Sequence, residues 1–301
     1  GGGGGGGGGG AQSNVFYLHQ ALEQQRGIAH AVQTGNLLQT SQTLSMDDYG
    51  NVLYPYDYPS QIAQVYGDLG RTLTHFGLTW ADVISERVFV ASVYLWEQHL
   101  DVRAAAIGPN AAFATSWTEV VELPAPGMVV SVSLEAYTGS GARRVFRLAP
   151  AVEAQYGYVQ AVAADYHLRV SGTQSMDGDG RVVALGDMWG QVSKVYADLG
   201  ASLGQFGASW AHVVREEAYT LDLLALGWAQ GARRNFLRDR TNLTAAWVKT
   251  AEMVVPGSLL QVHLSADLRL AGGVGDATYQ TQVPQAAPPP PAPAAPALRR
   301  R

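Results

Sequence analysis

Residues 116 to 137, SWTEVVELPAPGMVVSVSLEAY, set two alternating apolar and polar runs on either side of a turn built from Pro124, Pro126 and Gly127. A period of two marks half-buried strands, and the Pro and Gly turn between the runs predicts a hairpin. Residues 246 to 267, AWVKTAEMVVPGSLLQVHLSAD, write the same pattern again. Upstream of each hairpin the period changes to that of a helix. Ile62, Val65, Tyr66, Leu69, Leu73 and Phe76 fall at i, i+3, i+4 and i+7 spacing, and Val192, Val195, Tyr196, Leu199, Leu203 and Phe206 repeat that stripe. Gly77 and Gly207 supply the helix stops. Residues 30 to 42 and 161 to 173 alternate like strands, and DDYGN or DGDGR turns each into a second short strand. Strands near 83 to 93 and 213 to 221, and second helices near 96 to 107 and 226 to 237, complete the set.

The two sets stand at one offset. Ser45-Met46-Asp47 recurs 130 residues later as Ser175-Met176-Asp177, and the same offset carries Tyr66 to Tyr196, Trp80 to Trp210, Trp117 to Trp247 and Pro126-Gly127 to Pro256-Gly257. A constant offset over this span leaves no room for an insertion in either copy, and a period this long is a duplicated domain. The pattern predicts domains over 27 to 138 and 157 to 270, an N-terminal extension over 1 to 26, a linker over 139 to 156 and a disordered tail over 271 to 301. Each copy reads β-β-α-β-α-β-β, a sheet with one apolar face covered by two helices, which is a two-layer α+β sandwich.

Composition narrows the function. The 301 residues are 47% hydrophobic and 15% charged, enough for a sizeable core. Net charge is −5 and the one dense basic run is Arg299 to Arg301, so nothing resembles a nucleic-acid-binding stripe. The chain has no cysteine, which excludes disulfides, thiolate metal sites and a cysteine nucleophile. No apolar run approaches the ~20 residues of a membrane span, and a cytoplasmic location is expected. Residues 1 to 10 are all glycine and are set aside from fold reasoning. The Ala- and Pro-rich end cannot bury enough apolar surface to offset its ordering entropy.

Several segments resemble the Rid or YjgF family of reactive-intermediate imine/enamine deaminases. Tyr158-Val159-Gln160-Ala161-Val162 and Val170-Ser171-Gly172-Thr173 look like two of its signatures, echoed faintly by Ala31-Val32 and Ser41-Gln42. The run Val83 to Val90 is similar to its central strand, and Glu119-Val120, Leu123-Pro124 and Leu134-Glu135-Ala136 match its closing hairpin. The resemblance implies two tandem Rid/YjgF-like (chorismate-mutase-like) domains, association of domains in a trimer-type homo-oligomer, and small-molecule pockets at the clefts between neighbouring domains.

The chemistry the resemblance implies is altered here. Family deaminases hold a substrate carboxylate with an arginine just before the hairpin, a role suited to a planar bidentate donor. Thr115 stands at that place in the first copy and Ala245 in the second. Ser116 keeps the family hydroxyl, whereas its counterpart is Ala246. Trp117 and Trp247 replace a small residue, and either floor a pocket for a flat ligand or fill an enlarged core. Glu135 matches the glutamate that positions the attacking water, a role that needs a carboxyl raised toward neutrality by a desolvated cleft. Its counterpart is Ser265, and a solvated strand-end residue is the competing reading of Glu135.

Glu135, Ser116 and Thr115 are therefore the candidate catalytic residues, with Trp117, Glu119, Tyr158 and Trp247 as candidate substrate contacts. Glu86 and Glu216 are expected on a polar strand face. Arg233, Arg234, Arg238 and Arg240 are expected at a solvated helix end, with a swing into the cleft as the alternative. No histidine spacing suggests a metal, and no cofactor fingerprint is present. The expected function is a cofactor-free hydrolase or deaminase acting on an imine, enamine or enol-ether-like biosynthetic intermediate at an interdomain cleft. The alternative is a non-catalytic ligand-binding or assembly protein on the same fold.

Overall fold

A computed structural model describes residues 13–109, 111–238 and 243–270; the glycine run with residues 11 and 12, and the Ala/Pro-rich tail expected to be disordered, lie outside the described residues. The first repeat comprises β1 (Ser13–Phe16), α1 (Gln20–Gln25), β2 (Ala31–Thr34), β3 (Leu37–Thr40), β4 (Thr43–Leu44), α2 (Tyr58–His75), β5 (Val83–Val90), α3 (Val93–Glu97), α4 (Leu100–Ile107), β6 (Ala114–Glu119) and β7 (Val130–Tyr137). The second comprises β8 (Arg143–Phe146), α5 (Pro150–Tyr156), β9 (Ala161–Ala164), β10 (His167–Gln174), α6 (Met188–Gly204), β11 (Val213–Thr220), α7 (Leu223–Trp228), α8 (Gln230–Leu237), β12 (Thr244–Lys249) and β13 (Leu260–Asp267).

The sequence dictates the long helices directly. Asp57 caps α2 by accepting the Ser60 amide at 3.2 Å, and Ile62, Val65, Tyr66, Leu69 and Leu73 on its inner stripe are fully buried. Gly77, at φ +70°, takes the left-handed conformation that ends the helix, and Gly207 does the same after α6. Each stripe packs on one face of its own sheet, giving two separate cores. These are the two α+β layers expected.

Four features differ from the sequence reading. Residues 30 to 42 and 161 to 173 each hold two paired strands, β2 with β3 and β9 with β10, and the short strands expected after DDYGN and DGDGR are isolated bridges at Val52 and Val182. Residues 13 to 26 of the expected extension and the expected linker are structured: β1 pairs with β2 and β8 with β9, and α1 and α5 follow each. Each repeat thus gains a strand and a helix at its start. The second helix is broken in both copies, into α3 and α4 and into α7 and α8. The closing run is not a hairpin. Strand order is β1-β2-β3-β7-β5-β6 in one sheet, with β4 also on β7, and β12-β11-β13-β10-β9-β8 in the other. The second strand of each closing pair inserts between two earlier strands, while the first runs parallel to its neighbour at the sheet edge. Two strands with matched alternation need not pair with each other when a third strand of the same period lies between them.

The repeats join through one broad seam. Strand β6 faces β10, where the Thr115 amide donates to Ser171 Oγ at 2.9 Å and the Val159 amide donates to the Phe113 carbonyl at 3.2 Å. Equivalent positions also meet: Arg87 and Glu217, 130 residues apart, form an ion pair at 2.6 Å, and Phe89 lies edge-on to Tyr219. The 130-residue offset thus brings equivalent positions into contact with opposite charges. Among the described residues, β12, the counterpart of β6, has no such cover and is largely exposed.

Candidate functional site

Beneath Thr115 lies a buried polar network. Glu86, on β5, is fully buried rather than on a polar face, so the expectation for that strand is corrected. A 3.1 Å bond from Arg103 Nε, one at 2.8 Å from Arg103 Nη2, the Tyr66 hydroxyl and the Thr115 hydroxyl at 2.6 Å satisfy its carboxylate. Arg103, on α4, is itself fully buried and reaches across the seam to donate to the Gly157 carbonyl at 3.0 Å. Burial opposes its charge, but the Glu86 carboxylate beside it outweighs this and keeps the guanidinium protonated. Every charge in this cluster has a partner, as burial requires.

The second repeat builds the same cluster with one difference. Arg233 Nε lies 3.0 Å from Glu216 and 3.2 Å from the Tyr196 hydroxyl. Arg233 is therefore a partly buried structural partner and not part of a solvated helix end, whereas Arg234 and Arg238 are exposed and Arg240 lies outside the described residues. Ala245 offers no hydroxyl, and there the indole of Trp247 donates to Glu216 at 3.1 Å. In the first repeat Thr115 occupies the carboxylate, and the Trp117 indole N–H is left buried with no partner. An unpaired buried N–H costs about 1–3 kcal/mol.

Trp117 also forms one wall of a cavity between the repeats. Thr115 and Trp117 supply the first-repeat side; Val152, Tyr156, Tyr158, Gly172, Gln174, Met176, Val254, Val255 and Gln261 supply the other. No lining side chain is ionised. The centres of water molecules can reach about 40 Å³ of it; at about 10–15 Å³ per water this is room for about three waters. Burial, then Glu153, pushes the Tyr158 hydroxyl well above its usual range, and burial raises Tyr156, so both stay proton donors at neutral pH. Gln261 adds a carbonyl oxygen that has no partner.

Of the residues singled out from sequence, the cavity brings together Thr115, Trp117 and Tyr158. Trp117 serves as both core and wall, since it packs edge-on to Trp96, Tyr156 and Tyr158. Ser116 is buried, but strand alternation turns it to the opposite face, toward the seam. Glu119 accepts the Val93 amide at 2.8 Å and caps α3. Trp247 sits on the open edge strand, 42% exposed.

Glu135 is bound in the seam by Arg169 and, at 2.9 Å, by Gln39. Burial alone would raise its carboxyl, but Arg169 and Gln39 outweigh that and hold it at about 2. The sequence expectation of a carboxyl raised toward neutrality is corrected: it is firmly ionised. Sequence reasoning missed Arg103, Tyr156 and Gln261. Arg103 was findable, because the 130-residue offset aligns Tyr66, Glu86 and Arg103 with Tyr196, Glu216 and Arg233.

Comparison with known proteins decides the lineage. The endoribonuclease L-PSP family matches residues 19–138 and again 148–266. The chain belongs to this family, the YjgF/Rid family, in tandem duplicate. Among solved structures, a chorismatase aligns over 80% of this chain and 77% of its own, with a TM-score of 0.60 at 16% identity, and shares the fold. Rv2704 of Mycobacterium tuberculosis, a YjgF/YER057c/UK114 family member, is 26% identical over 42% of this chain and 99% of its own, with a TM-score of 0.37. NMB1025 of Neisseria meningitidis, another YjgF family member, is 21% identical over 44% of this chain and 100% of its own, with a TM-score of 0.36. No curated protein matches the chain. Among the described residues, no Rid-fold helix here is long and apolar enough to cross a membrane, and no cluster of side chains is arranged for a metal ion.

Proposed function

We propose that this chain is a Rid-fold small-molecule-binding protein whose working site is the cavity between its repeats, and that it does not carry out carboxylate-anchored deamination. One observation carries this reading: the guanidinium beside the cavity is already committed to Glu86, while the cavity lining offers uncharged hydrogen-bonding groups. A substrate carboxylate would have to break a buried ion pair to find a cation, which is strongly unfavourable. Ammonia release from 2-aminoacrylate generated in situ tests it. The expected rate is that of buffer alone, and a rate matching single-domain family deaminases overturns the proposal.

A second reading, cofactor-free hydrolysis of an imine, enamine or enol ether, is favoured by the solved chorismatase that spans both repeats in the same fold. In that reading Tyr156 and Tyr158 supply protons within the cavity, and Thr115 orients the substrate. Glu135 and Ser116, which do not line the cavity, take no part in that reading. Consumption of chorismate is the first assay for it. We further propose that a second copy of the chain covers β12, because its counterpart β6 is buried by β10 within the chain.

A further inference from the structure

We infer that Trp117 and Gln261 read the ligand: the indole N–H donates to a ligand acceptor, the Gln261 carbonyl accepts a ligand N–H or O–H, and the preferred ligand is a small, flat, uncharged molecule. This rests on the reading of the cavity as the ligand site and adds what that site selects. The two repeats serve as an internal control. In each, an arginine lies 5.6 Å from the tryptophan ring centroid, Arg103 from Trp117 and Arg233 from Trp247. The stacks are alike, yet the indole N–H is consumed by Glu216 in the second repeat and unpartnered in the first. Besides the cover that encloses Trp117 and leaves Trp247 42% exposed, the repeats differ here by one hydroxyl. Thr115 donates to Glu86 at 2.6 Å and takes the acceptor that Trp247 uses opposite Ala245.

Thr115 is thus a positioning residue that keeps the Trp117 donor free. On the facing wall, Gln261 packs against Gly172, where a Cβ would meet its amide at 2.4 Å, so the glycine makes room for the acceptor. Trp117 and Gln261 are 6% and 4% exposed, so the partners they lack must come from within the cavity, from the few waters it holds or from a ligand that displaces them. The walls are otherwise apolar or aromatic, and an uncharged ring loses no hydration comparable to that of a carboxylate on entry.

The test uses the full chain and three probes of one-ring size: 2-pyridone, which carries adjacent N–H and C=O groups, toluene, and benzoate. Binding is followed in amide and indole NMR spectra, with the Trp117 indole signal assigned by Trp117→Phe and the Gly172 amide as an independent reporter. 2-Pyridone should move both signals and bind at least ~10-fold more tightly than toluene or benzoate, each tenfold being about 1.4 kcal/mol. Thr115→Ala should shift the Trp117 indole signal downfield without ligand, as it turns to Glu86, and lose ~10-fold in 2-pyridone affinity. Thr115→Ser should restore both, and Gln261→Leu should weaken 2-pyridone but not toluene. Equal or tighter benzoate binding, or unchanged 2-pyridone affinity in both Thr115→Ala and Gln261→Leu, overturns the inference. A Gly172 amide that no probe moves overturns the cavity reading with it, whereas Gly172 shifts without preference for 2-pyridone overturn the inference alone.

Discussion

At the scale of single residues, the first repeat depends on a buried ion pair whose members lie far apart in sequence. Glu86 and Arg103 are both fully enclosed, so removing one leaves an uncompensated charge in a low-dielectric interior. Glu86→Gln is expected to destabilise the chain by about 3–5 kcal/mol in urea unfolding. Glu216→Gln should cost less, since Arg233 retains 15% exposure and can turn partly to water. Equal losses would show that burial is not what sets the cost. The pair was half legible in the sequence. Glu86 and Glu216 were visible as a repeated feature, but alternation in a strand says only that a residue shares a face with its neighbours. It does not say whether that face is wet. Tyr66 on α2 and Arg103 on α4 close over Glu86 from the helix layer, and that closure is a tertiary fact.

At the scale of elements, periodicity showed the long helices and most strands, because one apolar stripe per element was enough to fix their type. It failed at the closing pair, where β6 and β7 carry matched alternation but lie on either side of β5. It also failed at β1 and β8, edge strands whose residues are exposed or half-buried and so carry no apolar stripe. The seam that these sheets form has a pH signature. Glu135 is held at about 2, against an ordinary value of 4.5, so it stabilises the fold fully above about 4.5 and that contribution disappears as pH falls toward 2. His263 is fully buried with both ring nitrogens unpartnered, and burial and then Arg87 push its pKa well below 6.5. Glu135 acts in the opposite direction, and Arg169 and Arg215 add to the depression. The unfolded chain therefore takes up this proton before the folded one, and stability declines as pH drops below about 6.5. Denaturation midpoints measured from pH 7 to 3 should fall in both windows. His263→Gln should lessen the slope of the upper window, to which His30, held at about 4 chiefly by burial, also contributes, and Arg169→Met should flatten the lower; an unchanged slope in either variant contradicts the assignment.

At the scale of the whole molecule, duplication gave one closed junction and one open counterpart. β6 is sealed by β10, but β12 leaves Trp247 and Val248 42% and 47% exposed. A second copy that covers this face makes the mass concentration-dependent, and Val248→Lys should return it to that of one chain in sedimentation. A wild-type chain that stays monomeric at all concentrations rules out that docking. The tandem architecture and family were plain from the 130-residue offset and the signature segments. The state of the anchor was not, because Thr115 and Ala245 in place of arginine left open whether another cation fills the gap. Arg103 does come close, but its charge is spent on Glu86. The fate of 2-aminoacrylate tests that point most directly. With the charge spent, ammonia should appear no faster with the wild-type chain than without it, whereas turnover at the rate of single-domain relatives would mean that a carboxylate does find a cation in this cleft.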